Sequence, residues 1–165
     1  MADASGADAM TECVILIGLP AAGKTTFYRE RFAGTHDHIS KDLLRNNRKP
    51  ERRQEQLLLE SLSGGRSLVI DNTNASIATR APLIRAARAH GAKVIGYYFP
   101  TEASAALRRN RAREGRERVP DVAIFAVRKR LQPPTREEGF DELFEVTLLE
   151  DERRFEVIPR VGDRL

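Results

Sequence analysis

Cys13-Val14-Ile15-Leu16-Ile17-Gly18-Leu19-Pro20-Ala21-Ala22-Gly23-Lys24-Thr25 is the stretch that decides the fold. Cys13 to Ile17 is apolar without a break, as in a strand buried on both faces of a parallel sheet. It leads into Gly18–Thr25, a G-x-x-x-x-G-K-T loop, and Lys24 to about Phe32 reads as a helix. Strand, glycine loop, helix is the setting in which such a loop wraps a polyphosphate. The glycines keep side chains out of the way while backbone N–H groups and the helix N-terminus face the anion. Lys24 is then expected on the β/γ-phosphates and the Thr25 hydroxyl at magnesium. Leu19, Pro20, Ala21, Ala22 and Thr26 complete the phosphate contacts, with ATP and Mg2+ as the expected ligands.

Outward from the loop, short apolar runs alternate with helical segments, the pattern of a parallel sheet flanked by helices. His36 to Ile39 predicts a short second strand, and Leu43 to Leu62 a helix broken near Pro50. Gly64-Gly65 ends that helix, and Arg66 to Asp71 predicts a third strand. Ser76 caps a helix running to Gly91, which Pro82 either delays or bends. Val94 to Phe99 predicts a strand, Glu102 to Arg113 and Asp121 to Leu131 helices, and Phe144 to Leu149 with Phe155 to Ile158 a closing hairpin. The expected fold is α/β, a three-layer sandwich around a central parallel sheet with an arginine-rich lid at about residues 108–120. Residues 1–11 read as a disordered tail and 12–165 as one domain.

The residues downstream of the loop set the chemistry. No Asn-Lys-x-Asp guanine signature occurs. The third strand ends in Asp71, the acidic residue expected beside magnesium, followed by Asn72 where a water-activating motor would carry glutamate. Transfer of the γ-phosphoryl group to a bound acceptor remains, and it requires a base at the acceptor and cations around the transferred group. Asp42 and Arg45 sit three apart, on one helical face, after the second strand. They read either as base and phosphate clamp or as a surface ion pair. Arg108, Arg109, Arg111, Arg113, Arg116 and Arg118 crowd around Gly115. They read either as a solvated face or as a lid closing on the triphosphate. Lys41, Arg45, Arg48, Lys49, Arg52 and Arg53 form a second basic stretch, suited to a polyanionic acceptor. His36, His38 and His90 show no metal-cage spacing and read as ordinary surface or partly buried histidines, and Tyr97-Tyr98-Phe99 reads as sheet packing.

Several motifs in order resemble the 5′-kinase domain of polynucleotide kinase/phosphatases, enzymes that phosphorylate 5′-hydroxyl ends of DNA or RNA. They are Gly18 to Phe27, Ser40-Lys41-Asp42, Val69-Ile70-Asp71-Asn72-Thr73-Asn74, Arg109-Asn110-Arg111-Ala112-Arg113, Val119-Pro120 and Pro134-Thr135-Arg136-Glu137-Glu138-Gly139-Phe140. The resemblance implies Asp42 as general base, Arg45 on the acceptor's phosphate, and Asp71, Thr73 and Asn74 near the acceptor or magnesium. It makes Arg109 and Arg113 lid residues on the ATP phosphates, with Arg111 in contention for register. Two departures stand out. Ser40-Lys41-Asp42 replaces the family's Asn-Arg-Asp, and no Asp-x-Asp-x-Thr phosphatase motif occurs. The expected activity is ATP-dependent phosphorylation of a 5′-hydroxyl nucleic acid. The rival expectations are a P-loop kinase of a small hydroxylated molecule, such as a nucleoside or sugar, and a non-catalytic ATP-binding module.

Bulk properties bound these readings. The chain has 165 residues, 41% hydrophobic and 32% charged, with a formal net charge of +4. No run approaches the roughly 18 apolar residues of a membrane span. The first residues are small and acidic, without the basic start and apolar run of a signal peptide, and the expected location is cytoplasmic. The single cysteine, Cys13, opens the first apolar run and is expected to be a buried thiol.

Overall fold

A computed structural model describes residues 10–161. Its centre is a six-stranded sheet in the order β2-β3-β1-β4-β5-β6. β1 spans Glu12–Gly18, β2 Asp37–Ile39, β3 Leu68–Asp71, β4 Lys93–Phe99, β5 Glu142–Leu149 and β6 Arg154–Pro159. β1 to β5 are parallel, and β6 turns back antiparallel on β5 across the predicted hairpin at Glu150–Glu152. Central β1 is buried from Cys13 to Gly18, so its side chains feed two cores by alternation. Cys13, Ile15 and Ile17 face one layer, formed by α2 (Pro50–Ser63) and α3 (Ile77–Ala89). Val14 and Leu16 face α1 (Lys24–Arg31), where Phe27 packs edge-on against Phe99 and Phe155. Tyr97 stacks on Phe144, as expected for sheet packing.

A third cluster, of Leu19, Ala75, Ala106, Ile124 and Val127, joins α4 (Ala103–Arg111) and α5 (Asp121–Arg130) to the loops at the C-terminal ends of β1 and β3. That is the end of a parallel sheet where ligands bind.

One helix differs from expectation and another decides between alternatives, each for local reasons. The predicted helix over Leu43–Leu62 is two pieces: a 3-10 turn at Lys41–Leu44, then α2 starting on Pro50. Proline at the first helical position loses only an N–H that has no intrahelical partner, so it begins the helix and does not break it. Of the two alternatives at Pro82, the late start does not occur: α3 runs through Pro82 from the expected Ser76 cap. The hydrogen bond given up belongs to the carbonyl of Ala78, an exposed residue open to water. Of the predicted tail, residues 1–9 lie outside the described residues, while Thr11 already joins the sheet by accepting from the Lys93 N–H at 2.8 Å. Among the described residues, no helix is long and apolar enough to cross a membrane.

Candidate active site

Gly18 ends β1 with its N–H on the Thr73 carbonyl, 3.0 Å away, locking the phosphate loop to the end of β3. A Cβ at Gly18 would stand 3.0 Å from the Phe99 Cβ, so only glycine packs there without displacement. Gly23 precedes α1 at φ 97°, left-handed backbone that glycine adopts without strain, and no side chain caps the helix. The first N–H groups of α1 therefore keep their donors for an anion. Lys24 lies buried in the hollow of the loop, Nζ donating to the carbonyls of Gly18 (2.9 Å) and Leu19 (2.6 Å). Desolvation lowers its pKa to about 8, with Arg113 adding to the fall and Asp71 and Asp42 opposing it.

Thr25 Oγ1 donates to Asp71 Oδ2 at 2.8 Å, and His38 Nε2 lies 2.9 Å from the same oxygen. A hydroxyl and a carboxylate side by side are hard oxygen donors of the kind magnesium prefers, so Thr25 and Asp71 fit the metal. Among the described residues, no group of three His, Cys, Asp or Glu side chains is placed to hold a metal alone. Magnesium commonly completes its shell with water and substrate phosphate oxygens.

Across the cleft, the Ser40 hydroxyl accepts from the Asp42 N–H and starts the 3-10 turn. Asn72 pins the turn from β3, its Oδ1 accepting from the Lys41 N–H at 2.9 Å and its amide donating to Gln54 of α2 at 2.7 Å. Asp42 and Arg45 do form an ion pair, at 3.3 Å, with the Asp42 side chain 80% exposed. The pair also lines the cleft, so the ion-pair reading is met and both side chains stand where an acceptor could enter. One space of about 710 Å³ is bordered by Pro20, Lys24, Thr25, Asp42, Arg45 and Asp71 among others, with Ala21, Thr26, Thr73 and Asn74 also on its wall.

The arginine run divides. Arg113 and Arg116 line the cleft, whereas Arg109 joins Arg108 on Glu150 in the β5–β6 turn, both at 2.8 Å. Arg111 reaches Asp121 at 3.8 Å. Fully buried Asn110 closes the intervening loop, its amide exchanging both hydrogen bonds with the Val119 backbone.

The family model described as an AAA domain matches residues 13–134. The chain belongs to the AAA domain family. This AAA domain is 28% identical over 139 residues to the bifunctional polynucleotide phosphatase/kinase of Schizosaccharomyces pombe, covering 82% of this chain and 33% of that one. It is 29% identical over 147 residues to a provisionally assigned enzyme of the same description from Acanthamoeba polyphaga mimivirus, covering 85% and 34%. The chain thus spans about a third of the length of the curated relatives it matches. Among solved structures, a fungal RNA kinase superposes with TM-score 0.61 at 18% identity, covering 83% of this chain and 38% of that one. A sugar kinase from Janibacter superposes with TM-score 0.63 at 17% identity, covering 82% and 85%. The fold is that of P-loop kinases, and at these identities it does not choose an acceptor.

Within this AAA domain, three positions to which the sequence assigns no part in the site help to shape it. His38 carries no spacing signal, because its partner Asp71 is 33 residues away on the neighbouring strand. Arg80, fully buried, donates to Glu138 through Nε (2.8 Å) and Nη2 (3.0 Å) and to the carbonyls of Asn74, Ala75 and Gln132. Glu138 belongs to the Pro134–Phe140 motif, whose role in the structure is thus to fasten the loop after β3. Asn72, part of the Val69–Asn74 motif but without a role of its own there, suspends the Asp42 turn. Asn74, expected near the acceptor, is buried at φ 44° and turns its amide inward to the carbonyls of Leu16 (2.7 Å) and Ile70 (3.3 Å).

Proposed function

We propose that this chain is an ATP-dependent kinase that phosphorylates the 5′-hydroxyl of a nucleic acid. The observation that carries the reading is one cleft bordered by the phosphate loop, by Asp71 and by the exposed Asp42–Arg45 pair. An exposed ion pair stabilises a fold by about 1 kcal/mol at most, so Asp42 is available for chemistry. Its carboxylate takes the proton from the acceptor hydroxyl as that oxygen bonds to the γ-phosphorus. The bond from the γ-phosphorus to the β,γ-bridging oxygen breaks, and ADP leaves. Lys24 and the α1 N–H groups hold the β- and γ-phosphates. Thr25 and Asp71 would hold a magnesium ion, whose charge would offset that of the phosphate oxygens. Arg113 and Arg116, on the lid between α4 and α5, bring positive charge to the transferred group. Arg45 exchanges its Asp42 partner for an acceptor phosphate, which frees the base.

The nucleic-acid acceptor is favoured by the two polynucleotide phosphatase/kinase relatives and by the surface beside the base. Arg48, Lys49 and Arg52 pair with no carboxylate among the described residues. The test offers γ-labelled ATP and magnesium with 5′-hydroxyl DNA, 5′-hydroxyl RNA, nucleosides and simple sugars in parallel. Label on oligonucleotide 5′ ends is expected. Label confined to nucleosides or sugars overturns the acceptor assignment, and tight ATP binding with no transfer to any acceptor overturns the activity.

A further inference from the structure

His38 lines the cleft and contacts the carboxylate beside Thr25. A carboxylate only accepts, so Nε2 of His38 carries the hydrogen and donates to Asp71 Oδ2. Thr25 donates to the same oxygen, which leaves Oδ1 without a hydrogen-bond partner among the described residues. The Tyr28 ring stacks on one face of the imidazole, with centroids 3.9 Å apart and planes 14° from parallel, and restrains it there. Tyr28 is fixed in turn by its hydroxyl, which donates to the His36 carbonyl at 3.0 Å. Asp71 is buried, its side chain 4% exposed, so the two donors on Oδ2 decide which way its carboxylate faces.

We propose that His38 is a positioning residue that orients the Asp71 carboxylate for the divalent cation of the kinase site. The chain Tyr28–His38–Asp71 runs from packed ring to donor to carboxylate, each member held by the one before. A partner of this kind behind a metal ligand is commonly worth about 10- to 100-fold in metal affinity. The inference rests on the proposed role of Asp71 at magnesium.

Two substitutions separate the donor from the stack. His38→Phe keeps a ring against Tyr28 and removes the N–H; His38→Gln keeps an N–H near Nε2 and removes the ring. Manganese binding to the nucleotide-bound protein is followed by electron paramagnetic resonance, with the apparent KM for magnesium as a second reading. His38→Phe is expected to weaken manganese binding about tenfold and to raise the magnesium KM, with metal-free nucleotide binding and the oligonucleotide KM unchanged. His38→Gln is expected to stay close to the parent protein. The reverse pattern, or no change in His38→Phe, overturns the proposal and leaves His38 a packing residue. Asp71→Ala distinguishes the two levels: if it too leaves manganese binding unchanged, the role of Asp71 fails and the His38 proposal falls with it.

Discussion

Asp42 and Cys13 occupy opposite physical extremes, and each carries a prediction of its own. Asp42 is 80% exposed in an ion pair with Arg45, so Asp42→Asn should leave the thermal midpoint nearly unchanged. If Asp42 is the general base we propose, the same substitution should still lower kcat by about 10²- to 10⁴-fold with ATP binding intact, as read by steady-state kinetics beside a nucleotide titration. Cys13 is fully buried, and desolvation raises its thiol pKa from 9.0 to about 12. Between those values the unfolded chain releases the proton while the folded chain keeps it. The stability contributed by Cys13 is therefore present below pH 9 and lost as pH rises towards 12. Iodoacetamide at pH 9 should label Cys13 quickly in denaturant and slowly in the native protein, as followed by mass. The burial of Cys13 is legible from the apolar run it opens, and the position of Asp42 on the cleft from its place after a strand. His38 is not, because only the parallel pairing of β2 with β3 brings it to Asp71.

Elements assembled from local signals read well from the sequence, and those fixed by distant partners less well. The β1 strand, the glycine loop and α1 arise from residues adjacent in sequence, as does the β5–β6 hairpin. The start of α2 at Pro50 obeys proline chemistry once the Lys41–Leu44 turn is seen as a separate piece tied to Asn72. The Arg80–Glu138 clamp gives no sign of itself, since an arginine in a helix and a glutamate 58 residues on look like surface charge. With every Arg80 N–H group matched to an acceptor, loss of the carboxylate alone leaves a buried cation without its counterion. Glu138→Ala should cost about 3–5 kcal/mol in a denaturant titration, far more than removal of an exposed pair such as Arg66–Asp37.

At the scale of the whole molecule, the formal charge of +4 understates the basic character of the cleft region. Arg113, Arg116 and Arg45 line the cleft and Arg48, Lys49 and Arg52 follow in the chain as exposed side chains, an excess of positive charge that suits the proposed nucleic-acid acceptor. If three phosphates of a single strand are contacted, affinity should fall roughly 20-fold between 50 and 200 mM salt, read as a rising oligonucleotide KM. The KM for a neutral acceptor, such as a nucleoside, should stay nearly flat over the same range.

Asn72 carries one more consequence. It comes directly after Asp71 in the chain and ties the Asp42 turn to the end of β3 through the Lys41 N–H, with Gln54 of α2 on its amide. On the proposed roles, the base and the acceptor clamp lie in the excursion between β2 and β3, tied to the end of β3 through Asn72. The phosphate loop and the proposed magnesium ligands lie in β1, α1 and the tip of β3, and the lid arginines come from the segment between α4 and α5. The two reactants are held by parts that are separable along the chain yet share a mounting point. If the proposed roles hold, such a layout is modular: a graft of residues 40–53 that preserves Ser40, Asp42 and the contact to Asn72 should change the acceptor while leaving nucleotide binding unchanged.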